Sequence, residues 1–509
     1  MKPIHFLVLL GLLVFSPAGA EQPVDAPPDE AAPAAEAAAG NRNAGVAAAD
    51  ERLPAARTTR HVLDLGGDRL AFIATAGAIT LDARDGTPEA DIAFIAYQAE
   101  GRTGRPVTFV VNGGPGAASA YLHLGAVGPW LLPMEGDTIS PSQDIALVPN
   151  RETWLRFTDL VFVDPPGTGF SRLVDADNRR RRRYFSIDGD IEALARFVTR
   201  WLTENGRLAS PKFFLGESYG GFRGPLLAET LQTEHGIGLD GAVLLSPVLD
   251  FGWWQQPEHN PLPAMTLLPS LAAAAMEREG AYDREALAEA ETYAAGAFVT
   301  DFLRGLEDAE ARDRVVSRVA ELTGLPPERV EDHAGRFDAH GFARALHEAE
   351  GRLASVYDAG ITGPDPRPGQ RDGRTPDPVL DAMTAPLTSA ILALYRDTLD
   401  WLPQRRYSLL DRGVNRAWNW GEGLTQPEAL TALGRVLALD ESFRVLVVHG
   451  TSDLVTPYFA SELLLRQLPD FGDRVTRDTF RGGHMFYTRS DSRRAFAEAA
   501  RRLIGASAE

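Results

Sequence analysis

Cysteine is absent from this 509-residue chain. That excludes disulfides, a thiol nucleophile, thiolate metal ligation and an acylated lipoprotein cysteine. Lysine is nearly missing too, with Lys2 and Lys212 the only two, so arginine supplies the positive charge. Long apolar runs are also scarce. "FLVLLGLLVF" (6–15) is the longest, and it is too short to span a bilayer. Lys2 precedes it and "AGA" (18–20) follows, so residues 1–20 read as a cleavable export signal cut after Ala20. The expected product is secreted or periplasmic, without stable membrane insertion. Removing the signal leaves 50 basic against 70 acidic residues, a net charge of −20. Such a surface argues against nucleic acid as a partner. The run "RRRRR" (179–183) is the local exception and reads as a solvated loop. There is no His-Glu-x-x-His pattern, so neither a metal nor another cofactor is expected.

What is present falls into blocks. Residues 21–57 are rich in Pro, Ala and Glu with few large apolar groups, and are expected to be a disordered spacer. "RHVLDL", "LAFIATAGAITL" and "ADIAFIAYQAE" alternate apolar and polar residues, which predicts an antiparallel meander. "PVTFVVNGG" (106–114), "DLVFVDPPG" (159–167), "KFFLGES" (212–218), "GAVLLSP" (241–247) and "RVLVVHG" (444–450) are instead continuous apolar runs. Each ends in a turn residue, as buried parallel strands do when loops leave their C-terminal ends. Helical patterns lie between them, so the expected fold is α/β, a mostly parallel sheet covered by helices. Strand signal vanishes between about 252 and 404, where Ala, Glu and Arg recur at helical spacing. The expected organisation is a core over 58–251, a helical cap insertion over 252–404, and the rest of the core over 405–509.

The stretch "KFFLGESYGGFRGP" (212–225) holds a Gly-x-Ser-x-Gly pentad centred on Ser218. Alone it is a weak signal, since a turn serine or helix cap looks the same. Here a strand precedes it and a helix follows, and a turn that tight needs glycine on both flanks while exposing the hydroxyl. A serine nucleophile needs a general base, and the base an orienting carboxylate. "HGTSDLVTP" places Asp453 three residues past the end of a strand, and "GGHM" places His484 in a glycine-bracketed loop before the last helix. The order Ser, Asp, His suits this fold class. His449, at the end of its strand, is the second choice as base, and His61, His333, His340 and His347 fit less well. Oxyanion donors are expected from the Tyr219 amide and from Gly114 in the glycine turn of "VVNGGPGAAS" (110–119).

Together "VNGGPGAAS", "VFVDPPGTGFSR", "GESYGG", "HGTSDLVTP" and "GGHM" resemble the serine carboxypeptidase family of α/β-hydrolases. The resemblance implies a nucleophile at Ser218, a base at His484 and its orienter at Asp453, with an oxyanion hole from the Gly114 and Tyr219 amides. It further implies that Asn112, the Gly113 amide and Glu217 hold the carboxylate of a peptide with a free C-terminus. A protonated Glu217 would donate to that carboxylate, so activity is expected to favour acidic pH. Two positions depart from the family pattern. Ala117 stands where a disulfide cysteine is usual, and Ala126 where a second glutamate belongs to the carboxylate-binding network. The "DPPGTGF" loop is one residue shorter than usual. The leading reading is a serine carboxypeptidase; the alternatives are an esterase or acyltransferase on the same Ser-Asp-His machinery, or a non-catalytic protein on the scaffold.

Overall fold

The three alternating segments form strands β1 (Arg57–Asp64), β2 (Arg69–Asp82) and β3 (Pro88–Ala99), paired antiparallel in sequence. This is the computed structural model of the chain, and it describes residues 52–506 except 102–103, 135–138, 175–176, 255–258, 369–374 and 422–424. The expected signal and most of the expected spacer therefore lie outside the described residues. The spacer was expected to run to 57, but order begins earlier. Arg52 pairs with the buried Asp91 at 2.7 Å, and Trp401 Nε1 donates to the carbonyls of Pro54 and Ala55 at 3.3 and 3.2 Å.

All five continuous apolar runs are parallel strands, as their composition predicts. They are β4 (Val107–Val111), β5 (Asp159–Val163), β7 (Lys212–Glu217), β8 (Gly241–Leu245) and β9 (Arg444–Gly450), with the two-residue β6 (Arg172–Leu173) set against β3. Every residue of β4, β5 and β8 is buried, because both faces of the sheet are covered. Leu215 and Leu245 belong to the apolar cluster on one face, and Phe214 and Leu244 to that on the other. A sixth parallel strand, β10 (Val475–Phe480), completes the order β1-β2-β3-β5-β4-β7-β8-β9-β10. Its sequence, "VTRDTF", carries charge and is mostly half-exposed, as suits an edge strand, so it gave no apolar run to find.

The arginine run is not a loop. It lies in the helix Asn178–Tyr184, capped by the Asp177 side chain, which accepts from Arg180 N–H. Its arginines are largely solvated, though Arg183 reaches Glu89 at 2.7 Å. The expected insertion also divides. Residues from Ala264 to Ala359 build an apolar cluster of their own, to which Leu454, Tyr458 and Phe459 contribute. The later helix, Leu380–Ala393, packs into the core beneath the sheet through Met383, Leu387 and Ile391. A small hairpin, Arg352–Ala354 with Thr362–Pro364, interrupts the helical block. No helix among the described residues is long and apolar enough to cross a membrane.

Neighbouring strands β4, β7, β8, β9 and β10 set the address of everything that follows. Asn112, Ser218, Ser246, Asp453 and His484 each leave the C-terminal end of one of them. In open parallel sheets that edge is where ligands bind.

Candidate active site

The pentad forms a strand-to-helix elbow between β7 and helix α1 (Tyr219–Glu234). Ser218 sits at φ 61° and ψ −122°, a left-handed conformation that costs a non-glycine residue about 1–3 kcal/mol. Both flanking glycines are required by space. A β-carbon at Gly216 would overlap Gly220 O, and one at Gly220 would lie 2.6 Å from Val111 O. The strain is held by packing and by Ser218 N–H donating to Leu245 O at 2.8 Å. The hydroxyl-bearing residue stays half-buried.

Asp453 and His484 meet directly, His484 Nδ1 lying 2.9 Å from Asp453 Oδ2. Because Nδ1 faces a carboxylate it carries the proton, which leaves Nε2 free to accept one. Asp453 Oδ1 also accepts from Val455 N–H at 2.8 Å and Thr456 N–H at 2.9 Å, and Thr456 Oγ1 lies 2.8 Å from Oδ2. Burial works against the charge on each group. The mutual attraction wins, so the Asp453 pKa falls below the usual carboxylate range and that of His484 rises above the usual imidazole value. Ser246 connects this pair to the elbow. It follows Leu245, donates from Oγ to His484 O at 3.1 Å and accepts at its own carbonyl from Thr456 Oγ1 at 2.9 Å. A Ser218–His484 hydrogen bond is not among those of the described residues, and such bonds commonly tighten only when substrate aligns the groups. His449, the second choice as base, is instead committed to Ser461 Oγ at 2.9 Å, and burial lowers its pKa to about 4.

Glu217, on the strand just before the elbow, is 3% exposed. Asn112 Nδ2 donates to its Oε2, while Asn112 Oδ1 accepts from Leu122 N–H at 3.0 Å. The Asn112 carbonyl is fixed in turn by Arg223, whose guanidinium is buried against Asp190 at 2.6 Å. Burial drives the Glu217 pKa up to about 7, against the opposing pull of His484, Tyr487 and Asn112. At Gly113 a β-carbon would lie 2.6 Å from both Glu217 O and Tyr219 N, so only glycine lets the turn meet the elbow. The Gly113 and Gly114 amides have no acceptor among the described residues, and Tyr219 opens a helix, where the first N–H groups have no intrahelical partner.

Several groups at the site carried no sequence signal. Tyr487, three residues past His484, donates to both oxygens of Glu217 at 3.0 and 3.1 Å. Tyr357, from the hairpin in the helical block, accepts His484 N–H at its carbonyl (2.6 Å) and sets its ring edge-on to the imidazole, centroids 5.4 Å apart. Arg489 clamps that block to the histidine loop, reaching Asp358 at 2.7 Å and Glu277 at 2.9 Å. Glu277 also accepts from Gly482 N–H and Ser452 Oγ, both at 3.2 Å.

Residues 85–256 match a family model described as serine carboxypeptidase. That segment, about a third of the chain, is similar to serine carboxypeptidases. The matched segment contains Asn112, Gly113, Gly114, Glu217, Ser218 and Tyr219; Asp453 and His484 lie beyond it. Serine carboxypeptidase-like 47 of Arabidopsis thaliana is 27% identical over 171 residues, covering 31% of this chain and 31% of that protein. The pheromone-processing carboxypeptidase KEX1 of Yarrowia lipolytica is 32% identical over 146 residues, 28% of this chain and 22% of that protein. The sequence matches thus span under a third of these relatives' lengths. A prohormone-processing carboxypeptidase from Saccharomyces cerevisiae shares the fold, with a TM-score of 0.53 at 14% identity over 86% of this chain and 91% of that one. The mostly parallel α/β sheet expected from the strand pattern, and the α/β-hydrolase fold implied by the resemblance, are the observed ones.

Proposed function

We propose that the chain is an exported serine-type carboxypeptidase that removes the C-terminal residue of a peptide through an acyl-enzyme. Ser218 Oγ attacks the carbonyl carbon of the last peptide bond while His484 Nε2 takes its proton. The Gly114 and Tyr219 amides receive the oxyanion, a contribution of about 3–4 kcal/mol per donor. His484 then protonates the leaving amine, and the C-terminal amino acid departs. Water, deprotonated by the same imidazole, attacks the acyl group and frees Ser218. Asp453 keeps the ring oriented and supports its positive charge. Asn112 Nδ2, the Gly113 amide and the protonated Glu217 carboxyl hold the substrate's terminal carboxylate.

The observation that carries this reading is Glu217. A buried acid next to the elbow, its pKa raised to about 7, is a neutral donor at acidic pH. A neutral donor suits an incoming carboxylate, which a peptide with a free C-terminus carries and a simple ester does not. The apolar run between Lys2 and "AGA" supports export, to the periplasm or beyond.

The test uses a blocked dipeptide with a free C-terminus, its C-terminal amide, and a simple ester. The reading predicts release of the C-terminal amino acid from the free acid in preference to the amide, and loss of all activity in Ser218→Ala. Turnover of the ester with neither peptide cut would instead assign an esterase or acyltransferase.

A further inference from the structure

Tyr487 is a group the mechanism above does not use. Its side chain is fully buried, and its hydroxyl spans both oxygens of Glu217 at 3.0 and 3.1 Å. The ring has room because of Gly125, where a β-carbon would lie 3.0 Å from Tyr487 Cε2. Its backbone is fixed as well, since the Tyr487 carbonyl accepts from Arg493 at 2.9 Å. The contact is therefore built from both sides.

We propose that Tyr487 is a positioning residue of the carboxylate-binding site: its hydroxyl, held on both Glu217 oxygens, decides up to what pH Glu217 can receive a substrate carboxylate. This rests on the carboxypeptidase reading. A phenol donating to a carboxylate favours the ionised acid. Burial of Glu217 favours the neutral one, and Tyr487 opposes it. The phenol keeps its own proton, since burial raises its pKa far above the ordinary value. The other ionisable groups facing Glu217 are His484, which also favours the anion, and Asp453, which disfavours it. Tyr121 and Tyr357 lie within electrostatic reach and stay neutral, since burial raises their pKa values too. With Asn112 Nδ2 and Tyr487 both donating to Glu217, the proton on its carboxyl is left to be given to the substrate. Above the Glu217 titration the same place repels a carboxylate.

The test is an infrared titration of the Glu217 carbonyl stretch, isolated as the difference between wild type and Glu217→Gln, alongside the pH dependence of KM for a blocked free-acid dipeptide. In Tyr487→Phe the Glu217 midpoint is expected to rise by roughly one pH unit, and the KM rise at alkaline pH should move by the same amount. Replacing Tyr487 with 3-fluorotyrosine, a stronger donor that keeps the ring in place, should move both downward. An unmoved midpoint, or the same direction of shift in both variants, overturns the inference. A midpoint that moves while KM does not follow leaves the Tyr487–Glu217 coupling in place and removes Glu217 from substrate recognition.

Discussion

Asp453 and Glu217 are 0% and 3% exposed, and both feel His484, yet they are driven in opposite directions. Asp453 accepts two backbone N–H groups and the imidazole N–H, and its pKa falls. Among the described residues Glu217 accepts only an amide and a phenol from side chains, and its pKa rises to about 7. Burial is the largest single influence on each. What separates them is how many fixed donors and how much positive charge oppose it. On the proposed reading, one carboxyl stays an anion and holds the base in place, and the other keeps a proton and offers it to the substrate. Two acids pushed apart in this way are the usual mark of divided roles.

Removing the nucleophile should have the largest effect: Ser218→Ala is expected to lower kcat on the order of a million-fold for esters and peptides alike. Breaking the ionised side comes next. Asp453→Asn leaves the ring in the wrong tautomer, so kcat should fall about ten-thousand-fold on free-acid and amide substrates equally, with their ratio unchanged. Glu217→Gln breaks the other side and should do the reverse. Ester and amide turnover stay near wild type, free-acid KM rises about tenfold or less at acidic pH, and its increase at alkaline pH disappears because the glutamine donor does not titrate. The smallest effect is expected from Arg489→Met, which loosens the histidine loop. A fall in kcat of about threefold with KM unchanged, largely restored in Arg489→Lys, would fit misalignment of His484; an unchanged kcat would remove the clamp from the mechanism.

Much of the sheet was legible because parallel strands buried on both faces are almost wholly apolar, as β8 is and β4 is but for Thr108. The elbow was legible because Gly216 and Gly220 are demanded by backbone contacts within a few residues, and Asp453 and His484 because loops at strand ends lie where the fold collects them. Tyr487 was not, since its meaning depends on Glu217, 270 residues away. Nor were Tyr357 and Arg489, whose partners come from a different block of the chain. β10 escaped because an edge strand with Arg477 and Asp478 has no apolar run. The packing of residues 52–56 was hidden because its partners, Asp91 and Trp401, lie far along the chain.

The most direct measurement is the ratio of kcat/KM for a blocked free-acid dipeptide to that for its amide, followed on one enzyme from about pH 5 to 8, a span that brackets the Glu217 titration near 7. Both substrates need neutral His484, so their common rise with pH cancels in the ratio and only Glu217 remains. The predicted ratio is well above one at the acidic end and falls through a single titration near pH 7. A ratio close to one throughout, or one that does not change with pH, would contradict the assignment of Glu217 as the protonated acid that holds the substrate carboxylate.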